Sequence, residues 1–399
     1  MKETLTWKIP LADPGFGPEE IAAAVAVLES GWVSQGPTVQ RFEAAFAEYL
    51  GVKCAVAVAN GTAALHLAGL ALGLGPGDEV LCPALTFVAT ANAIRYTGAQ
   101  PCFVDIAGPQ DLNLAVEDMV RKISPRTKAI MVVHYGGFAA DMAAILEVAQ
   151  QHGLAVIEDC AHAPGAWYQD GAPPGRVGTA GILSCFSFFA NKNLATGEGG
   201  MVATNDPELA ESVRVARSHG MTTLTWDRHQ GHSHTYDVVA MGYNYRLDEV
   251  RAAIGMVQLG RLEENNARRR ELTRLYRARL TELSQVEVPF LAENLDACAC
   301  HLLPILLSKG EDRSDFMTFL RERGIQTSIH YPPIHHFSYY RRLQDNVVNY
   351  QLPQTEAVAA REVTLPLFPS LTAEQVAQVT ATVQDYFKGI PAAYAYQSR

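Results

Sequence analysis

Lys192 is the residue of this chain whose setting asks for a chemical explanation. It lies in SFFANKNLATGEGG (187–200), five residues past Ser187 at the end of a short apolar run and just before a glycine-rich turn. A lysine in a loop at the carboxyl edge of a sheet becomes a nucleophile toward carbonyl carbon once its pKa is lowered, which is the chemistry of Schiff-base formation. A lone loop lysine is simply solvated, so the reading depends on what surrounds it. In EDCAHAPGA (158–166), Asp159 closes another apolar run, the place where open α/β sheets bind ligands. A carboxylate there caps a helix or meets a cation, because burying it alone is costly. His162, three residues on, either orders that contact or packs. In NGTAALHL (60–67), Gly61 and Thr62 lead from a run into a helix. The free N–H groups and the dipole at such a helix start attract phosphate, and the Ser187 hydroxyl is a further donor.

A phosphate cup, a strand-end acid and a loop lysine are together the groups that a pyridoxal 5'-phosphate (PLP) site needs: an anchor for phosphate, a partner for the protonated ring nitrogen, and an amine for the aldehyde.

The elements that must position these groups are legible as a pattern. Apolar runs of five or six residues occur at 54–59, 79–84, 101–106, 129–134, 154–159 and 183–188. Rich in Val, Ile, Phe and Cys and apolar on both faces, they predict buried strands of a mainly parallel sheet. Between them 62–74, 86–98 and 141–153 read as helices, the last two ending in glycine. Strand–helix alternation predicts an α/β fold with helices on both faces. Around 245 the texture changes: 246–283 reads as one or two long charged helices, 297–307 as a strand, 312–324 as a helix with an Asp cap, and 372–387 as a closing helix. A large domain over 1–260, including an N-terminal arm, and a smaller α+β domain over 261–399 are expected.

Composition excludes other classes. The net charge of −10 argues against a nucleic-acid binder. No apolar run reaches the length of a membrane span and the N-terminus lacks a secretory signal, so a cytoplasmic protein that binds no membrane is expected. The seven cysteines form no CxxC pair and read as buried thiols in a reducing compartment. His232 and His234 have no acidic or thiol neighbours, so no metal is expected.

The motifs NGTAAL, DEVLCPALTFVATANAI (78–94), VHYGG (133–137), EDCAHAPGA, SFFANKNLATGEGG and GYNYRLDEVRAAIG (242–255), together with SGWVSQGPTVQRFEAAFAEYLG (30–51), occur in the order found in a known family. The chain resembles the DegT–DnrJ–StrS group of PLP-dependent sugar aminotransferases over nearly its whole length. The resemblance implies a type I PLP-transferase fold, with a mainly parallel, seven-stranded type of sheet in the large domain. It implies that Lys192 carries the cofactor and that Asp159 pairs with its ring nitrogen. His162 then neighbours the ring oxygen, Phe87 stacks on the ring, and Gly61, Thr62 and Ser187 hold the phosphate. Asn244 reaches the phosphate from a neighbouring subunit, which implies a homodimer with shared sites. Asn191 departs from the family, where threonine is usual before the lysine.

The resemblance also implies the reaction: transfer of an amino group from L-glutamate to a nucleotide-linked keto sugar, in amino-sugar biosynthesis for polysaccharide or natural-product glycosides. The family resemblance suggests a 4-keto-6-deoxy sugar, and the VHYGG stretch resembles relatives that aminate carbon 4. Arg228 and His229, in the Arg- and His-rich segment 214–234, either line the nucleotide side or belong to a solvated loop. In YPPIHH (331–336), Tyr331 or His335 touches substrate, or two prolines simply anchor a turn. Three rivals remain: amination of a keto-cyclitol, a non-catalytic PLP-binding regulator, and a sugar 3-dehydratase. The last carries histidine where this chain has Lys192.

Overall fold

The computed structural model describes residues 7–169, 174–223, 226, 235–344 and 351–389. Each of the six apolar runs forms a strand: Cys54–Val58 (β1), Glu79–Pro83 (β2), Gln100–Val104 (β3), Thr127–Val133 (β4), Ala155–Asp159 (β5) and Leu183–Ser187 (β6). They join Gly200–Thr204 (β7) in a seven-stranded sheet of order β1-β7-β6-β5-β4-β2-β3. Strand β7 runs antiparallel to both β1 and β6, and every other neighbouring pair is parallel. The carboxyl ends of β1, β2, β5 and β6 therefore meet at one edge of the sheet. Strand β7, five residues long and buried throughout, opens on the last glycine of GEGG and is not among the six apolar runs.

Helices follow the strands for local reasons. Gly61–Ala71 starts where the Asn60 side chain accepts the Ala63 N–H. Met142–His152 is capped by Asp141 and ends at Gly153, whose φ is 65°, a left-handed conformation that glycine adopts without strain. In the C-terminal part Asp312 caps Arg313–Glu322, and Thr372 and Gln375 form a reciprocal capping box at Ala373–Phe387. There Val286–Glu287 (β8), Leu303–Leu307 (β9) and Glu362–Leu365 (β10) make an antiparallel sheet of order β10-β9-β8.

The charged stretch 246–283 is one helix, Glu249–Leu280, capped by Asp248. Its first half packs on Pro18–Ser30 and Pro37–Leu50, and it also packs on Ala373–Phe387. Leu262 belongs to the core cluster around Phe42 and Phe186, whereas Leu272, Tyr276 and Leu280 belong to the cluster around Ile305 and Phe316. Residue 260 therefore falls inside a helix that is part of both cores.

The expected strand over 297–307 is shorter than its apolar pattern suggests. Only Leu303–Leu307 pairs in the small sheet. The preceding strap, 298–302, bonds instead to the tight turn Tyr135–Gly137: Ala299 N–H to Gly137 O at 3.0 Å and His301 N–H to Gly136 O at 2.8 Å. The approach is close enough that a Cβ on Gly137 would lie 2.9 Å from Cys300 N and from His162 O. Burial against this turn, rather than against a second strand, explains the apolar character of the strap.

Candidate active site

The shared edge of β1, β2, β5 and β6 opens into a cavity of about 440 Å³. Eight of the residues singled out in the sequence line it: Gly61 and Thr62 after β1, Phe87 after β2, Asp159 at the tip of β5, His162 just beyond, Ser187 at the tip of β6, Lys192 in the following loop, and Tyr331.

The turn at Gly61 is built by contact. The Asn60 side chain takes the Ala63 N–H and the Asn60 carbonyl takes the Ala64 N–H at 3.1 Å. The Gly61 and Thr62 N–H groups remain at the cavity, as the first donors of a helix must. Gly61 packs on Ser187 so tightly that a Cβ there would lie 2.7 Å from Ser187 Cβ and 3.1 Å from its Oγ. Glycine thus brings a hydroxyl and a helix start to the same point.

Asp159 is buried, and its carboxylate accepts from Thr90 Oγ1 at 2.9 Å and from the Ala161 N–H at 3.2 Å. Burial raises its pKa, and these two bonds together with the charge of Lys192 oppose the rise. Thr90 itself meets Thr86 Oγ1 at 3.2 Å. Lys192 is half-buried. Desolvation lowers its pKa to about 8, against the opposing pull of Asp159. An acid whose charge is discouraged by burial thus shares a cavity with an amine that is substantially neutral near pH 8. Such mutual perturbation marks functional sites.

His162 accepts the Gly136 N–H at Nδ1 (3.2 Å) and meets Tyr331 Oη at 2.9 Å through Nε2. Burial, then the charges of Lys192 and His330, hold its pKa well below the usual histidine range. Phe87 is 56% exposed, with its ring 5.9 Å from that of Tyr331, and so offers an open aromatic face to the cavity.

Other predicted residues lie elsewhere. His335 is buried outside the cavity, with Nε2 3.2 Å from Glu356 Oε1 and its ring against Phe103. Asn244 is exposed and pairs with Ser218 through the backbone. Arg228, His229, His232 and His234 lie outside the described residues. Two groups at the site were not singled out from sequence. Thr86 and Thr90 are spaced one helical turn apart in LTFVAT, which is a signal for one shared face. His301, 3.4 Å from Lys192 Nζ through Nε2, arrives on the 298–302 strap and leaves no local signal.

Among the described residues, His134, Glu158 and Cys160 form a buried group with metal-ligating atom types. The Glu158 carboxylate is already occupied by His134 Nε2, the Tyr168 hydroxyl and the N–H groups of Gly178, Ala180 and Gly181. It is a structural anchor.

The cavity fits PLP on its own evidence. The helix start with its glycine cradle suits a phosphate, the exposed Phe87 ring suits an aromatic face, and the buried Asp159 suits a cationic ring nitrogen. The partly neutral Lys192 suits an aldehyde carbon.

Comparisons with known proteins agree. The sequence model of the DegT/DnrJ/EryC1/StrS aminotransferase family matches residues 15–384. The chain is 42% identical over 386 residues to the spore coat polysaccharide biosynthesis protein SpsC of Bacillus subtilis, covering 96% of this chain and 97% of that one. Its structure is similar to PseC of Helicobacter pylori, an aminotransferase involved in the biosynthesis of pseudoaminic acid (TM-score 0.88, 29% identity, 96% and 99% of the two chains). It is also similar to the PLP form of Spr1654 from Streptococcus pneumoniae (TM-score 0.86, 26% identity, 96% and 100%). The fold is the type I PLP-transferase fold, with a mostly parallel seven-stranded sheet.

Proposed function

The chain belongs to the DegT/DnrJ/EryC1/StrS aminotransferase family and is a PLP-dependent sugar aminotransferase, and from that premise we propose that it moves the amino group of L-glutamate to a nucleotide-linked 4-keto-6-deoxy sugar. The observation that carries the catalytic half of this reading is the meeting of Lys192, Asp159 and the Gly61 turn at the mouth of one sheet edge. The sugar half is supported by SpsC, a spore coat polysaccharide biosynthesis protein, and by PseC, which serves the biosynthesis of pseudoaminic acid.

In this reading Gly61, Thr62 and Ser187 hold the phosphate, Phe87 covers one face of the ring, and Asp159 pairs with the ring nitrogen. His162 neighbours the ring oxygen. Bound PLP supplies the electron sink that makes a carbon next to nitrogen acidic. Lys192 anchors the cofactor between turnovers. With PLP held there, Nζ would act as the base and acid that moves the proton at the donor carbon, a task suited to an amine with pKa about 8. Asp159 would hold its charge against a protonated ring nitrogen, and would favour that proton in turn. Tyr331, hydrogen-bonded to His162, faces the space left for substrate, while Arg228 and His229 serve the nucleotide.

A second copy of the chain completes the site through Asn244. The exposed apolar side chains Tyr236, Val238, Val239 and Met241 lead up to Asn244, and Phe87 and Phe189 stand exposed at the cavity. Apolar surface of this extent calls for a cover. We further propose that the chain divides into a large PLP-binding part and a smaller C-terminal part near residue 260, within the long helix.

The test is direct. Purified holoenzyme mixed with L-glutamate should lose the absorbance of the lysine-bound cofactor. A panel of keto sugar nucleotides should then restore it and yield an aminated sugar identified by mass and NMR. No change with glutamate refutes the donor, and a response to glutamate without amination of any sugar nucleotide refutes the acceptor.

A further inference from the structure

We propose that His301, locked in a single tautomer by Asn193 and Asn266, orients the Lys192 amine so that its lone pair faces the cavity. The inference rests on the reading of Lys192 as the reactive amine.

A chain of hydrogen bonds, its polarity fixed at the far end, leads to His301. Asn266 donates Nδ2–H to the Pro164 carbonyl at 2.9 Å, which leaves its Oδ1 to accept from Asn193 Nδ2 at 2.8 Å. Asn193 Nδ2 also donates to the Ala299 carbonyl at 2.7 Å. With both amide hydrogens of Asn193 committed to oxygens, its Oδ1 can act only as an acceptor. Oδ1 lies 3.0 Å from His301 Nδ1, so Nδ1 must carry the proton. In a neutral ring Nε2 then has a bare lone pair, and Nε2 is the atom that faces Lys192 Nζ at 3.4 Å. Asn193, Asn266 and His301 are all buried, so no solvent competes for these bonds.

A neutral amine has two hydrogens and one lone pair. Donating one hydrogen to His301 Nε2 turns the lone pair away from the imidazole, toward the cavity in which a carbonyl carbon must bind. The opposite tautomer would donate Nε2–H to that lone pair and block it. The groups that face His301 also keep it neutral. Besides burial, Lys192, His162, Arg269 and His330 all disfavour a second proton on it. Arg269 donates Nη1–H to the His301 carbonyl at 3.4 Å. The His162 ring lies against it, with centroids 4.6 Å apart. His162 accepts the Gly136 N–H at Nδ1, so its own proton points to Tyr331. Neither histidine therefore offers Lys192 a competing donor. His301 is a positioning residue: it holds the amine in place and does not take the proton that Lys192 moves.

Two measurements on the full-length protein freed of cofactor test this. Histidine-selective ¹⁵N labelling should show His301 as the neutral Nδ1–H tautomer from about pH 6 to about pH 9. An Nε2–H tautomer, or an imidazolium near neutral pH, overturns the proposal. The second probe is formaldehyde with cyanoborohydride, with methylation of Lys192 followed by peptide mass spectrometry across pH. In His301→Phe the limiting rate above the Lys192 midpoint should fall about tenfold, the equivalent of one lost hydrogen bond, while surface lysines keep their rates. His301→Gln, which restores a polar acceptor at similar size, should recover part of that loss. A limiting rate within about twofold of wild type in His301→Phe overturns the proposal, and if that variant fails to fold the tautomer decides alone. A wild-type Lys192 no more reactive than surface lysines would instead refute its role as the reactive amine. A reactive Lys192 indifferent to His301 would refute only the present inference.

Discussion

Replacing Asp159 with asparagine should have opposite effects on the cofactor-free and the cofactor-loaded protein. Lys192 has a pKa of about 8 because enclosure penalises its ammonium form, and Asp159 is the group that pulls it back up. Against a free lysine at about 10.4, that places roughly 10% of the amine in its neutral form at pH 7, instead of about 0.04%, a gain of roughly two-hundredfold in reactive species. Asp159→Asn removes the opposing anion and keeps the shape. An opposite charge this near is worth on the order of one pKa unit or more, so the Lys192 midpoint should fall to near 7 and methylation of Lys192 at pH 7 should speed up about fivefold. In the loaded enzyme the same substitution leaves the ring nitrogen without its anion, and turnover with glutamate should fall by at least about a hundredfold. The assay is the pH profile of Lys192 methylation in the cofactor-free protein, set beside single-turnover rates with glutamate in the holoenzyme. A wild-type midpoint near 10 would refute the claim that enclosure activates the lysine. A midpoint that rises in Asp159→Asn would refute the electrostatic pairing of the two residues, and turnover that survives would refute the role of Asp159.

Gly61→Ala should weaken PLP binding at least about tenfold, read by equilibrium dialysis, because its Cβ must displace Ser187; the same displacement should lower the thermal midpoint by a few degrees. Thr90→Val deprives Asp159 of a donor that lowers its pKa, so the acid limb of the holoenzyme's pH–rate profile should move to higher pH by about half a unit to one unit. Glu158→Ala strips His134, Tyr168 and three N–H groups of their shared acceptor and should cost about 3–5 kcal/mol in urea denaturation. Burial raises the Glu158 pKa, but His134 and these hydrogen bonds outweigh it and hold the carboxyl below its ordinary 4.5. Its contribution is therefore fully present above about pH 4.5 and is lost as pH falls through the lower folded-state value, so the mutant and wild-type stabilities should converge in acid. Neutralising Arg228 and His229 together should weaken binding, raising the apparent dissociation constant of the sugar nucleotide several-fold, and leave the rate of the glutamate half-reaction unchanged.

What could be read from sequence follows from how far each signal reaches along the chain. The strands of a parallel sheet are buried on both faces, so β1 to β6 write themselves as apolar runs. Strand β7 is buried as deeply but starts inside the glycine-rich loop GEGG, a breaker signal that masks the run, and its pairing with β1 and β6 is not a local property. Asp159 was legible because a charge at the end of an apolar strand is costly and so demands a reason, and Lys192, a loop residue, only through the company of Asp159, the Gly61 turn and Ser187. Tyr331 and His335 look alike in YPPIHH, yet only Tyr331 lines the cavity. The turn Ile334–His336 buries Ile334 and swings His335 toward Glu356 and Phe103, a choice settled by tertiary packing. His301 shows the limit most clearly. It lies 109 positions from Lys192, and its neighbour in the chain, Cys300, has a φ of 48° that no propensity predicts. What brings it to the amine is the strap pinned to Gly136 and Gly137, and what fixes its proton is an amide on the long helix, Asn266, reached through Asn193. The chemistry of a site is announced by residue types at strand ends, but the orientation of its nucleophile is decided by hydrogen-bond polarity carried in from three separate segments, and that exists only in the folded chain.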